Sequence, residues 1–170
     1  MEQGLLHLYW GAGKGKTTAA MGLALRALGA GLRVSVVQFL KDGSSSEIAP
    51  LRRLGAAVFA GDTGGRFVFE MTGEERVQAR LRQDEALRGA LETDCDLLVL
   101  DEGCAACALG MVNEALLRRA VLGRPGGREV VLTGRDPADW MRQAADYSTE
   151  MRAERHPFDR GVAARAGIEY

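Results

Sequence analysis

Apolar positions along this chain fall into short continuous runs separated by stretches of helical spacing. The runs are Leu5 to Trp10, "RVSVVQFL" at 33–40, "DLLVLDE" at 96–102 and "REVVLTGR" at 128–135. Unbroken Val- and Leu-rich runs of this length predict strands buried on both faces, as in a parallel sheet covered by helices on each side. Ala57 to Ala60 and the segment from Tyr147 add two further predicted strands. Between them, Lys16 to Leu28 places Ala20, Leu23, Ala24 and Ala27 at helical spacing, with Gly29 and Gly31 positioned to end the helix. A short helix is predicted from Ile48 to Leu54, and the glycine-rich stretch 61–71 is read as a loop. Thr72-Gly73-Glu74-Glu75 has the form of a capping box and opens a strongly charged helix to about Leu91, expected to lie on the surface. Asn113 caps a helix through Leu122, and Asp136-Pro137 marks another start, with Asp136 as N-cap and Pro137 in the first turn.

This alternation predicts an α/β domain of three layers, α/β/α, around a mostly parallel sheet. No internal repeat, low-complexity tract or linker divides the chain, so residues 1–170 are read as one domain. Composition narrows the function classes. Apolar residues make up 46 % and charged residues 26 %, with a formal charge of −1. That balance gives no support for a nucleic-acid or membrane-binding surface. No apolar run approaches the roughly 20 residues that span a bilayer. Met1-Glu2-Gln3 lacks the positive region of a signal peptide, so a cytoplasmic location is expected.

The three cysteines argue against a disulfide framework. Cys104 and Cys107 form a C-x-x-C, but zinc needs about four ligands, and Cys95, His7 and His156 are not at paired spacing. The surrounding "GCAACALG" is small and apolar, which favours buried packing over a redox or metal pair.

Chemistry concentrates in "GAGKGKTT", Gly11-Ala12-Gly13-Lys14-Gly15-Lys16-Thr17-Thr18, between a predicted strand and a predicted helix. Glycines let a backbone turn tightly and aim successive N–H groups at phosphate oxygens. Lys16 adds a point charge, the Thr17 hydroxyl can ligate Mg²⁺, and the helix directs its positive end at the same anion. The first glycine of the usual pattern is replaced by Trp10. Gly13 and Gly15 remain to line the phosphates, and Gly11 supplies backbone freedom one residue later, so the loop is a variant and not a dead one. The strand ending Asp101-Glu102 supplies the second half of a nucleotide site, since a carboxylate there holds a Mg²⁺ shell directly or through water. On residues alone, these halves also fit an ATPase or kinase in which Glu102 polarises water or an acceptor hydroxyl. They fit, too, a regulatory module that binds ATP without turnover.

The chain resembles the P-loop ATP:corrinoid adenosyltransferases. That family has a loop like G-N-G-K-G-K-T-T-A-A and a strand like V-G-V-V-Q-F-I-K, matched here by "VSVVQFLK" at 34–41. Val99 to Glu102 matches its V-L-D-E, Thr133 to Arg135 its T-G-R, and "MRAERHPFDRGVAARAGIEY" at 151–170 its tail. The resemblance implies a RecA-like P-loop nucleotide-binding fold and an unusual reaction. Reduced cobalt, Co(I), attacks the 5′ carbon of ATP and expels triphosphate, so the loop holds a leaving group and no general base is required. Lys16 and Glu102 are then the catalytic candidates. Residues 11–18 bind ATP, and Thr17, Asp101 and Glu102 hold Mg²⁺ or Mn²⁺. Phe67 and Phe69 stand at the spacing of an aromatic pair that displaces the lower axial ligand of Co(II) corrinoid, although they also suit a short core strand. Arg135 and His156 join the site, with Asp159 and Arg165 matching the tail. The resemblance also implies a homodimer and an external electron donor such as a reduced flavoprotein. Departures from the family pattern are Trp10, Ala12, the "GCAACALG" stretch, Ala153-Glu154 and the N-terminal segment of longer members, which is not matched here.

Overall fold

The computed structural model describes residues 3–169. Six strands form one sheet: β1 (Leu6–Trp10), β2 (Val34–Gln38), β3 (Ala57–Ala60), β4 (Leu97–Asp101), β5 (Glu129–Gly134) and β6 (Tyr147–Glu150). Their order is β3-β2-β4-β5-β1-β6, and every pairing is parallel. Among the described residues six α-helices complete the layers: α1 (Lys16–Gly29), α2 (Ile48–Arg53), α3 (Gly73–Glu92), α4 (Gly103–Ala108), α5 (Glu114–Leu122) and α6 (Asp139–Ala144).

Alternation along the strands divides the core in two. Val34, Val36, Leu97, Val99 and Val131 face Ala20, Met21 and Ala24 of α1 and Leu51 of α2. Their strand neighbours Val37, Leu98, Leu100, Val130 and Leu132 face α3, α4, α5 and Met141 of α6. Both faces are covered, which explains why the strands read as continuous apolar runs and not as alternating ones. The three-layer α/β/α arrangement predicted from the pattern is therefore present, with the sheet wholly parallel among the described residues.

Two local expectations need correcting. α3 is charged overall, but Ala79, Gln83, Ala86, Leu87 and Ala90 are buried, so one side of it belongs to the core. The small alanines let the helix approach the sheet closely, and their low hydrophobicity hides the stripe in the sequence. The last helix begins at Asp139 with Ala138 as its N-cap, not at Asp136-Pro137. Asp136 sits at φ 48, left-handed and outside the extended conformation that an N-cap adopts. The other caps stand as read: Thr72 Oγ1 accepts from Glu75 N and Asn113 Oδ1 from Leu116 N. Stretch 61–71 is irregular apart from a 3₁₀ turn at Val68–Glu70.

Candidate functional site

A parallel sheet aligns its strand ends, and this one gathers the chemistry at the carboxyl edge, where ligands of such folds bind. Lys14 to Thr18 follow β1, Lys41 follows β2, Asp101 and Glu102 end β4, and Thr133 lies at the end of β5. A cleft of about 940 Å³ opens here on the α1 side of the sheet, near the top of the roughly 300–1,000 Å³ range of small-molecule sites. Its floor carries Lys14, Lys16, Thr17, Lys41 and Glu102, and its side wall is apolar, with Met21, Leu25, Leu51 and Leu54.

The loop conformation explains its glycines. Gly15 has φ 113 and serves as N-cap of α1, while Gly11 has φ 107. Side chains are strained at these angles. Gly13 is needed for closeness: its N–H donates to Met151 O at 2.7 Å, and an added Cβ would come within 2.7 Å of the Met151 backbone. The loop thus splits into two limbs. Lys14 to Thr18 line the cleft, whereas Gly11, Ala12 and Gly13 do not. Lys16 is buried and donates to Gly13 O at 2.7 Å. Burial pulls the Lys16 ammonium below its ordinary pKa, with Arg135 adding to the fall and Glu102 and Asp101 opposing it. A desolvated cation in a glycine loop at the start of a helix has the electrostatics that favour an anion.

Asp101 is the centre of the polar cluster. It is fully buried, and its Oδ1 accepts from the hydroxyls of Thr17 and Thr133, each at 2.8 Å. Its Oδ2 accepts from Lys41 Nζ at 2.7 Å. Burial alone would lower the Lys41 pKa, but Asp101, with Glu102 and Glu47, outweighs it and leaves the ammonium above its ordinary value. Glu102 stands at φ 59, its N–H donating to Thr133 Oγ1 at 2.9 Å. Burial raises its carboxyl above the usual range, and the neighbouring Asp101 charge raises it further. Gln38, the register partner of Asp101 on β2, is fully buried with neither amide atom hydrogen-bonded among the described residues.

Thr17, Asp101 and Glu102 fit a hard divalent cation. They supply oxygen only, Thr17 spends its proton on Asp101 and keeps lone pairs free, and Gln38 leaves an amide in need of a partner beside them. Among the described residues no group of three His, Cys, Asp or Glu side chains is placed to hold a metal.

The remaining predicted site residues distribute unevenly. Phe67 lies on the cleft rim, 68 % exposed, and Phe69, 82 % exposed, stacks on it with centroids 5.4 Å apart. They are not core residues. His156 borders the cleft, its Nδ1 accepting from Phe158 N. Arg135 is exposed and outside the cleft lining, acting on Lys16 and Glu102 through its charge. Lys41, Thr133 and Gln38 were not singled out from sequence chemistry, although Lys41 and Gln38 belong to "VSVVQFLK" and Thr133 to "TGR". Trp10 lies outside the cleft lining and packs against the core on the other face of the sheet. Its Nε1 donates to Ser148 Oγ at 3.1 Å, and the Arg142 guanidinium lies 4.2 Å from its ring centroid. The missing glycine has become a packing residue between β6 and α6.

Cys104 is fully buried on α4, and burial pushes its thiol up to about 12. Such a thiol is neither a nucleophile nor a ready metal ligand. Replacing Cys104 and Cys107 together by serine is expected to lower stability by about 1–3 kcal/mol, because a buried hydroxyl needs a partner. Thermal unfolding and metal analysis check this: bound metal lost from the double variant would contradict the packing role.

The family model for the ATP:corrinoid adenosyltransferases BtuR/CobO/CobP matches residues 2–170. A corrinoid adenosyltransferase of Pseudomonas aeruginosa is 36 % identical over 172 residues, covering 99 % of this chain and 85 % of the relative. One from Escherichia coli K12 is 34 % identical, covering 99 % and 87 %. The corrinoid adenosyltransferase CobA of Salmonella typhimurium is 35 % identical with the same two coverages. With the loop, the Asp101 cluster and the strand order all in place, a match across nearly the whole length means that this chain belongs to the ATP:corrinoid adenosyltransferase family.

Proposed function

We propose that the cleft holds ATP by its triphosphate so that the 5′ carbon can be transferred to reduced cobalt of a corrinoid. The observation that carries this reading is the convergence of Lys14, Lys16 and Lys41 on one cleft floor, with Thr17 hydrogen-bonded to the buried Asp101 beneath them. In the transfer, the Co(I) electron pair forms the Co–C5′ bond, the C5′–O5′ bond breaks, and triphosphate leaves with the bonding electrons. No proton moves. The loop N–H groups and Lys16 therefore act on charge that builds on the departing oxygens, the kind of interaction that is stronger in the transition state than in the ground state. A divalent cation held by Thr17, Asp101 and Glu102 would neutralise part of the same charge. The wall of Met21, Leu25, Leu51 and Leu54 offers the nucleoside end an apolar surface to pack against. Hydrolase and kinase readings are set aside by the family assignment.

The family resemblance supports a homodimer in the cytoplasm, with Co(I) supplied by an external reductant such as a reduced flavoprotein. No helix among the described residues is long and apolar enough to cross a membrane. Incubation with ATP, Mg²⁺ and chemically reduced corrinoid should yield triphosphate and an adenosylated corrinoid. ADP and phosphate as products would contradict the assignment.

In this reading Phe67 and Phe69 contact the corrinoid; their exposure, with Phe67 lining the cleft and Phe69 stacked on it, supports the role. The double alanine variant is expected to slow adenosylation starting from Co(II) corrinoid by about 10–100-fold, equivalent to roughly 1.4–2.8 kcal/mol. Reaction from preformed Co(I) should stay within a few-fold of normal. Equal losses in the two assays would show the pair to be general packing and not a means of easing reduction.

A further inference from the structure

Lys41 is a cation of the cleft that the phosphate loop does not account for. Its ammonium sits on Asp101 Oδ2 at 2.7 Å, while Oδ1 of the same buried carboxylate is taken by two neutral hydroxyls. The chain is built to present it there. Leu40, just before it, has φ 58, a strained value for leucine, and Leu40 N is held by Gln83 Oε1 at 3.1 Å. The Lys41 side chain remains 29 % exposed and lines the cleft with Lys14 and Lys16. It makes one hydrogen bond among the described residues and has three donors on a flexible stem.

A buried carboxylate needs one counter-charge, and a divalent cation brought to Asp101 repels an ammonium already there. We propose that Lys41 is an exchangeable counter-charge: it neutralises Asp101 until the metal–nucleotide enters, and its ammonium then becomes a third cation on the triphosphate leaving group. This rests on the reading of the cleft as a metal–triphosphate site. A lysine suits the task better than an arginine, since a point charge on a long stem can change partners without rebuilding a planar fork.

The test uses binding, not turnover. Mn²⁺ affinity of the full chain without nucleotide is read by electron paramagnetic resonance, and tripolyphosphate affinity in saturating Mn²⁺ by calorimetry. Lys41→Gln is expected to bind Mn²⁺ alone about 5–10-fold more tightly, since the competing charge is gone. It should bind tripolyphosphate about 10-fold more weakly, the loss of one charge-assisted contact. Lys41→Arg should keep the wild-type Mn²⁺ affinity, which also guards against misfolding as the cause. Tighter Mn²⁺ with unchanged tripolyphosphate would overturn the transfer to the leaving group. Weaker binding of both ligands, or changes under twofold, would overturn the exchange altogether. Wild-type protein that binds neither probe would remove the phosphate-site reading itself, and this inference with it.

Discussion

Lys16→Ala is expected to cut triphosphate release from ATP and Co(I) corrinoid by about 10³-fold, roughly 4 kcal/mol of transition-state stabilisation. The size follows from where the charge goes. Triphosphate departs with a full extra negative charge, and the Lys16 ammonium is desolvated in the loop proposed to receive it. Stability should hardly change. Folding holds the Lys16 pKa below its ordinary value, so the native state disfavours the charged form and removing it relieves a cost. What is lost is one hydrogen bond to Gly13 O and some packing of the stem, so the melting temperature is expected to stay within about 3 °C. Turnover measured with chemically generated Co(I), alongside circular dichroism, separates the two effects. Near-normal turnover by Lys16→Ala would remove the loop from the chemistry. A large fall in melting temperature would instead make Lys16 a structural residue.

Much of this site was legible because it is local. The loop from Gly11 to Thr18 and the Asp101-Glu102 strand end each carry their chemistry in consecutive residues, and apolar runs covered on both faces mark their strands plainly. What stayed hidden joins residues far apart. The Lys41–Asp101 pair spans 60 positions, and Lys14 Nζ donates to Ile168 O across 154. No spacing rule reaches that far; only the β2–β4 register, with Gln38 opposite Asp101, brings the first pair together. Trp10 is a third case. The sequence marks the loop as a variant but does not say where the side chain goes: its ring belongs to the opposite face of the sheet, with Ser148 and Arg142. The buried side of α3 was lost for another reason, because Ala79, Ala86 and Ala90 carry little hydrophobic signal among so many charges.

Asp101→Asn is the substitution expected to damage stability and activity together. The amide is the same size and its oxygen can still accept from Thr17 and Thr133. Its NH₂, however, faces the Lys41 ammonium where Oδ2 accepted at 2.7 Å, donor against donor. Breaking a buried pair at one partner costs about 3–5 kcal/mol, and the lower end applies because Lys41 reaches the cleft. About 3 kcal/mol corresponds to a fall of roughly 6–12 °C in melting temperature for a chain of this size. Activity should drop about 10²-fold or more, since the carboxylate that anchors Thr17, and that would hold a divalent cation in the proposed reading, is gone. A second substitution distinguishes the two losses. Lys41→Met in the Asp101→Asn background removes the uncompensated charge and should recover most of the melting temperature, leaving activity low. Measured as a cycle, the coupling between the positions should be about 1–3 kcal/mol, as for residues in one ion-pair network. Additive effects would mean that Lys41 and Asp101 stabilise the protein independently. Recovery of activity in the double variant would mean that the chemistry needs neither charge.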